Sequence, residues 1–113
     1  MVVKSNDVLR RELLPGAMQS HIWDKNTGAG SVSMGVITLQ PGVALKPHRH
    51  LVEDAMVVIS GTGSFVVDDL VTPIAAGDGL LAPAGTTHFI RNDGSEPLVI
   101  VYTWPSVQVE RFS

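Results

Sequence analysis

The stretch Lys46–Gly61, KPHRHLVEDAMVVISG, sets two of the four histidines of the chain one residue apart and follows them with two adjacent acids. In an extended strand, side chains alternate between two faces, so His48 and His50 share a face. The same alternation places Asp54 on the histidine face and Glu53 on the opposite one, unless a bulge between the two pairs reverses the parity. Two imidazoles on one face suit chelation of a single metal ion, although two solvated surface histidines give the same short pattern.

The composition excludes several classes of protein. The chain has 113 residues, a net charge of −3 and no cysteine, so neither a disulfide nor a catalytic thiol is available. No basic cluster is present, which argues against nucleic-acid and anionic-membrane partners. The first residues lack the apolar run of a signal peptide, and no later run approaches the roughly 18 residues of a membrane span. We therefore expect a cytoplasmic protein with a single domain, residues 1–113.

Glycines and prolines divide the chain into short segments typical of β-strands. These segments, rich in β-branched and aromatic residues, are SVSMGVITLQ, EDAMVVIS, SFVVDD, GLLA, HFIRN and PLVIVYTW. Evenly spaced short strands with tight turns predict an all-β sandwich or barrel. Only Val8–Leu14 (VLRRELL) has a helical pattern, and Pro15-Gly16 would stop it, so we expect at most one short N-terminal helix.

Two gapped motifs resemble the signatures of the cupin superfamily. Residues Gly42–Gly61 follow the first signature, G-x5-H-x-H-x3-4-E-x6-G, except that Asp54 stands where the family has glutamate. Residues Gly77–Asn92 match the second, G-x5-P-x-G-x2-H-x3-N, at every defined position. The two motifs and the 15 residues between them cover nearly half of the chain in the order and spacing of the family.

The resemblance implies a small antiparallel jelly-roll barrel whose mouth holds one divalent metal ion. Carried over residue by residue, its ligands would be His48, His50 and His88, with Asp54 in the place of the glutamate. Iron, manganese, nickel, copper and zinc all accept such nitrogen and oxygen donors, so the metal is not identified. Three imidazoles and one carboxylate leave an octahedral ion two open positions for water, dioxygen or a chelating substrate. Because aspartate is one methylene shorter than glutamate, direct coordination, coordination through water and a three-histidine site all remain open.

Strand alternation predicts mostly apolar walls for this pocket. The side chains expected there, from inward parity or aromatic character, are Met56, Val58, Ile90, Trp23 and Tyr102. Trp104 has the same aromatic character, and for all three aromatic residues core packing is the alternative role. Among the charged side chains, only Asp54 is placed inside by alternation. A phosphorylated substrate would require an inward Arg or Lys, so we expect a small, non-phosphorylated substrate chelated in an apolar pocket.

Three other polar residues are best interpreted as structural. His21 could serve as a base beside the pocket, but a half-buried strand histidine is the favoured interpretation. Asn92 is expected to tie down the turn Asn92-Asp93-Gly94, and Asp78 is expected to cap backbone amides.

The strand that follows the histidines is apolar on both faces. Ala55, Val57 and Ile59 form the face opposite Asp54, and a strand of this kind must be covered on both sides. Either the N-terminal segment or a second subunit could cover it, and we expect a homodimer because an exposed apolar stripe invites aggregation.

Two classes of function remain open. The first is a metal-dependent enzyme, for which the shortage of inward acid–base groups favours oxygenase or lyase chemistry over isomerisation. The second is a non-catalytic module that binds or senses a small molecule in the same pocket.

Overall fold

A computed structural model describes residues 1–113 and is built almost entirely of β-strands. The strands are β1 (Leu9–Leu14), β2 (Ala17–Trp23), β3 (Ser33–Leu39), β4 (Asp54–Ser60), β5 (Thr62–Val67), β6 (Leu70–Ala75), β7 (Gly79–Ala82), β8 (His88–Arg91) and β9 (Leu98–Trp104). The helical segments are two 3-10 turns, Ser5–Asp7 and Lys25–Thr27. No helix has the length and hydropathy needed to cross a membrane.

The strands form two sheets in which every pair is antiparallel. One sheet has the order β1-β2-β3-β9-β4-β7 and the other the order β6-β5-β8. Single bridges join Ala44 to Arg91 and His48 to His88, so the segment between β3 and β4 runs beside β8. Leu39, Leu98 and Ile100 have no exposed surface and belong to the main hydrophobic cluster. This architecture confirms the predicted all-β fold of the cupin type.

The helical pattern noted at Val8–Leu14 does not correspond to a helix in the structure. Leu9–Leu14 instead form β1, which pairs with β2 through Leu14↔Ala17 and places Pro15-Gly16 in a two-residue hairpin turn. Proline suits the first central position of such a turn, and Gly16, with φ of 85°, suits a second position that requires positive φ. A two-turn helix is marginal in isolation, so pairing with β2 overrides the local helical preference.

Strand β4 shows the alternation that its sequence predicts. Asp54, Met56 and Val58 are buried, whereas Val57 is 37% and Ile59 53% exposed. The N-terminal strand does not cover this outer face, since β1 pairs with β2 at the opposite edge of the sheet. The N-terminal strand is therefore not the cover considered from the sequence.

Candidate metal centre and its pocket

Three histidines meet where the extended segment before β4 pairs with the start of β8. The backbones of His48 and His88 pair directly, with N–H···O distances of 3.1 and 2.8 Å. His50 follows on the same face as His48, and all three residues are 3–4% exposed. Their ligand nitrogens lie within 4.8 Å of one another. The structure therefore brings together the three histidines that the sequence motifs single out.

Hydrogen bonds to backbone carbonyls orient each of the three rings. The Nδ1 atoms of His48, His50 and His88 lie 2.8, 2.8 and 3.0 Å from the carbonyl oxygens of Lys46, Glu110 and Thr86, respectively. A carbonyl oxygen only accepts, so each Nδ1 must carry the proton and each Nε2 keeps a free lone pair. This is the tautomer in which histidine binds a metal through Nε2.

The polar atoms at the centre of the cluster lack partners within the protein. The Nε2 atoms of His50 and His88 and the Oδ1 atom of Asp54 are buried and make no hydrogen bond. Such unsatisfied buried atoms are rare in native proteins, because each carries a desolvation cost. Imidazole nitrogens and a carboxylate are common ligands of first-row divalent ions, so this donor set fits one such ion.

Asp54 lies beside the histidines at the start of β4. Its Oδ2 atom is 3.6 Å from Nε2 of His88 and 3.9 Å from Nε2 of His50, and the residue is 5% exposed. The neighbouring Glu53 is exposed. The irregular turn at Leu51-Val52 thus leaves Asp54, rather than Glu53, on the histidine side.

Burial favours the neutral form of two imidazoles of this cluster, those of His48 and His50. It lowers the pKa of His48 to about 4, and it lowers the pKa of His50 as well, despite hydrogen bonds to backbone carbonyls that act in the opposite direction. Metal binding requires the deprotonated ring, so His48 needs to release no proton for it at neutral pH.

A small inner pocket of about 30 Å³ is lined by the four candidate ligands, His48, His50, Asp54 and His88. Of the neutral side chains expected to line it, Met56, Ile90 and Tyr102 do so. Val58 does not, because it lies two residues further along β4 in the main core. Trp23 does not line it either, since it pairs with Met34 at the far end of β2.

Charged and polar residues that the sequence analysis did not assign also line this inner pocket. Arg111, near the end of the chain, borders it together with Gln19 of β2. The expectation that Asp54 is the only charged side chain at the pocket is therefore wrong, and the absence of an inward cation no longer argues against phosphorylated substrates. Gln19 lies two residues from His21 in β2 and so shares its face, which means that strand alternation could have placed Gln19 at the pocket. No sequence pattern marks Arg111 as a pocket residue.

An outer cleft of about 460 Å³ adjoins the inner pocket. Gln19 and Trp104 line both spaces, and Arg11 and His21 line the outer one. The volume of the outer cleft is in the range of small-molecule sites, whereas the inner pocket has room for little more than an ion and a water-sized group.

A chain of hydrogen bonds forms part of the wall between the two spaces. Gln19 Nε2 donates to the hydroxyl oxygen of Tyr102 (2.9 Å), which lies 2.5 Å from Nδ1 of His21. The Tyr102 hydroxyl therefore donates to Nδ1, and Nε2 of His21 is left to donate to Asp24 Oδ2, 3.3 Å away. His21 is a half-buried strand histidine, as expected, but its contact with Tyr102 connects it to the pocket wall. Burial raises the pKa of Tyr102 to about 12, so the phenol is protonated at neutral pH.

The C-terminal segment, residues 105–113, lies against the candidate metal centre. Arg49 and Phe112 form a two-way backbone bridge with distances of 2.7 and 2.9 Å, and the Arg49 guanidinium lies 5.0 Å from the centre of the Phe112 ring. Ser33 Oγ donates to the Ser106 carbonyl at 2.7 Å. These contacts hold the Glu110 carbonyl against His50 and place Arg111 at the pocket.

The two other residues interpreted as structural have the contacts expected of that role. Asn92, with no exposed surface, donates to the carbonyls of Leu39 and Glu96 and accepts from the Gly94 amide. The Asp78 carboxylate accepts from the Ala75 amide. Neither side chain lines the inner pocket.

Most of the chain matches a known protein family. The family model described as "Cupin domain" matches residues 35–104, which include all four candidate ligands. Among solved structures, the polyketide cyclase RemF from Streptomyces resistomycificus superimposes with a TM-score of 0.81 at 18% identity, over 97% of this chain and 83% of that one. At that identity the match shows a shared fold.

Two curated relatives are similar in sequence. Protein SchB of Streptomyces halstedii is 30% identical over 103 residues, which are 89% of this chain and 74% of the relative. A gentisate 1,2-dioxygenase of a Ralstonia species is 31% identical over 90 residues, or 79% of this chain, but the match spans only 25% of that protein. The chain thus corresponds to about a quarter of the dioxygenase.

Proposed function

This chain belongs to the cupin domain family, and from that premise we propose that it is a metal-dependent enzyme that acts on a small substrate. His48, His50 and His88 would hold one divalent transition metal ion through Nε2, with Asp54 as the fourth ligand. The reaction class that we propose is an oxygenase or lyase reaction.

The convergence of three Nε2 atoms, each with its Nδ1 bound to a backbone carbonyl, carries this proposal. A surface cluster of histidines would not need three separate carbonyls to select one tautomer. The unsatisfied buried Nε2 atoms of His50 and His88 would both gain a partner from a single ion.

The pocket suggests how a substrate would be bound. A metal ion in this site would supply open coordination positions and Lewis acidity. The outer cleft has room for the body of a substrate, and only a small coordinating group would fit in the inner pocket. Met56, Ile90 and Phe89 would exclude water there.

Elemental analysis of the untagged protein, as purified, tests the metal site. We expect close to one equivalent of a first-row metal in the wild type and a large loss in His48→Ala, His50→Ala and His88→Ala. His21→Ala is the matched control, since it removes the one histidine outside the cluster and should leave the metal content unchanged. A wild type that is empty and takes up no added iron, manganese, nickel, copper or zinc would contradict the proposal.

Oxygen-consumption assays on the iron-loaded protein address the reaction. Gentisate is a suitable first substrate because the name of one relative specifies a gentisate dioxygenase. Oxygen uptake that is absent in His88→Ala would support an oxygenase. Metal-dependent binding of such ligands with no turnover of any of them would favour the non-catalytic binding module instead.

A further inference from the structure

Two arginines at the boundary between the outer cleft and the inner pocket have no carboxylate partner. Arg111 lines the inner pocket and Arg11 lines the outer cleft, yet the ion pairs of the chain involve neither residue. Arg11 makes one side-chain hydrogen bond, from Nε to Gln19 Oε1 at 2.9 Å, and Arg111 makes none. An unpaired guanidinium beside a pocket is a candidate binding group for an anion.

A third unpaired donor lies at the same boundary. The indole Nε1 of Trp104 is buried without a hydrogen-bond acceptor, and the Trp104 ring lines both spaces. Buried indole N–H groups usually find an acceptor, so this one requires an explanation. A ligand oxygen at the boundary would supply the missing acceptor.

The electrostatics of the boundary agree with this arrangement. Burial lowers the pKa of Arg111, and repulsion from Arg11 lowers it further, while the Asp54 carboxylate acts in the opposite direction. The charge of Arg11 thus acts on Arg111, and neither guanidinium has a carboxylate within 4.0 Å. An anion bound between them would remove that repulsion.

We propose that Arg111, Arg11 and the indole N–H of Trp104 bind a carboxylate of the substrate at the boundary between the outer cleft and the inner pocket. This inference rests on the proposed function and adds a substrate class to it, namely small carboxylic acids with a ring or other apolar body. The flat two-oxygen carboxylate matches the fork of a guanidinium. The outer cleft would hold the body of the acid, and the inner pocket leaves space for one small group between the carboxylate and the metal centre.

Isothermal titration of the full-length, zinc-loaded protein with three probes tests the site. Benzoate carries the required carboxylate, benzamide is its neutral analogue of the same shape, and phenyl phosphate carries a phosphate in its place. We expect benzoate to bind roughly tenfold or more tightly than benzamide, as a charge-assisted contact predicts. Equal binding of benzoate and benzamide would overturn the anion site, and tighter binding of phenyl phosphate than of benzoate would overturn its assignment to carboxylates.

Variants identify the residues that bind benzoate. Arg111→Gln should weaken benzoate binding roughly tenfold or more, and Arg11→Gln and Trp104→Phe should each weaken it severalfold. Arg10→Gln removes the same charge from an adjacent exposed position that lines neither space, so its affinity for benzoate should equal that of the wild type. Wild-type affinity in Arg111→Gln would overturn the proposal.

The metal content of each protein separates this inference from the proposed function. Arg111→Gln should retain the metal, because Arg111 is not a ligand, while it loses the preference for benzoate over benzamide. A wild type that takes up none of iron, manganese, nickel, copper and zinc would end the metalloenzyme proposal, but the same titration on that metal-free protein would still decide whether the arginines bind carboxylates.

Discussion

Oδ2 of Asp54 lies 3.6 Å from Nε2 of His88, slightly more than two ligands of one ion require. With metal–ligand bonds of about 2.1 Å, neighbouring donors are roughly 3.0–3.4 Å apart in octahedral or tetrahedral geometry. We expect a small rotation of the Asp54 side chain to close the difference, so that the shorter aspartate serves as a ligand where the family signature has glutamate.

The first prediction follows from that distance. Asp54→Ala should lower the affinity for the metal roughly 100-fold or more, since it removes the only carboxylate in the donor set. The matched control is Glu53→Ala, which removes an adjacent exposed carboxylate and should leave the affinity unchanged. Competition with a coloured chelator measures both. Wild-type affinity in Asp54→Ala would leave a site of three histidines.

The pH dependence of the metal-free protein gives a second prediction. His48 has a pKa of about 4 in the folded protein against an ordinary value of 6.5, so the unfolded chain binds its proton first as the pH falls. The stability that neutral His48 provides is present above pH 6.5 and is lost as the pH falls toward 4. Urea midpoints measured with chelator present should therefore fall across this interval. His48→Gln, which cannot titrate, should show a weaker decline, and an identical decline would contradict the assignment to His48.

Local periodicity explains how much of the candidate site could be predicted from the sequence. Alternation along β4 is a property of the extended backbone, and it correctly separates the buried Asp54 and Met56 from the exposed Val57. The depth of a side chain is not a local property. Val58 has the same inward parity, but it lies in the core below the pocket, because depth depends on which strands lie opposite.

Long-range contacts explain the failures. Leu9–Leu14 is a strand because β2 pairs with it, and no pattern within the segment reports that pairing. Arg111 reaches the pocket because Phe112 bridges to Arg49, 63 residues earlier in the chain. Contacts of this kind are set by the folded barrel, so the cationic side of the pocket emerges only from the structure.

A third prediction uses the single tyrosine of the chain. Because burial raises the pKa of Tyr102 to about 12, the tyrosinate absorbance at 295 nm should appear near pH 12 in the folded protein. In 8 M urea it should appear near the ordinary value of 10. The folded state retains the phenolic proton, so its contribution to stability is complete below pH 10 and is lost as the pH rises toward 12. A folded-state titration at pH 10 would contradict the burial of the Tyr102 hydroxyl.

A fourth prediction concerns the C-terminal segment. Phe112→Ala removes the ring that packs on Arg49 and should loosen the segment, which frees the Glu110 carbonyl from Nδ1 of His50. Loss of a group that orients a ligand lowers metal affinity by roughly tenfold or more. Trypsin should also cleave after Arg111 faster than in the wild type, as followed by mass spectrometry. Val71→Ala, an exposed change on β6, is the control, and unchanged metal affinity in Phe112→Ala would show that the segment does not support the site.

The last prediction concerns the outer face of β4 and β7, where Val57, Ile59 and Leu81 are 37%, 53% and 51% exposed. The register of the two strands places Leu81 opposite Ala55 and beside this apolar stripe, so together they form a surface that a second copy of the chain could cover. We expect light scattering after size exclusion to give twice the mass of the 12.0 kDa chain, and Ile59→Asp to give a monomer, because a buried unpaired carboxylate would oppose association. Leu70→Asp, on β6 of the other sheet, places the same charge on an apolar position that is 70% exposed, and it should remain dimeric. A wild type that is monomeric at micromolar concentration would show that this face is solvated, and dissociation of both variants alike would place the interface elsewhere.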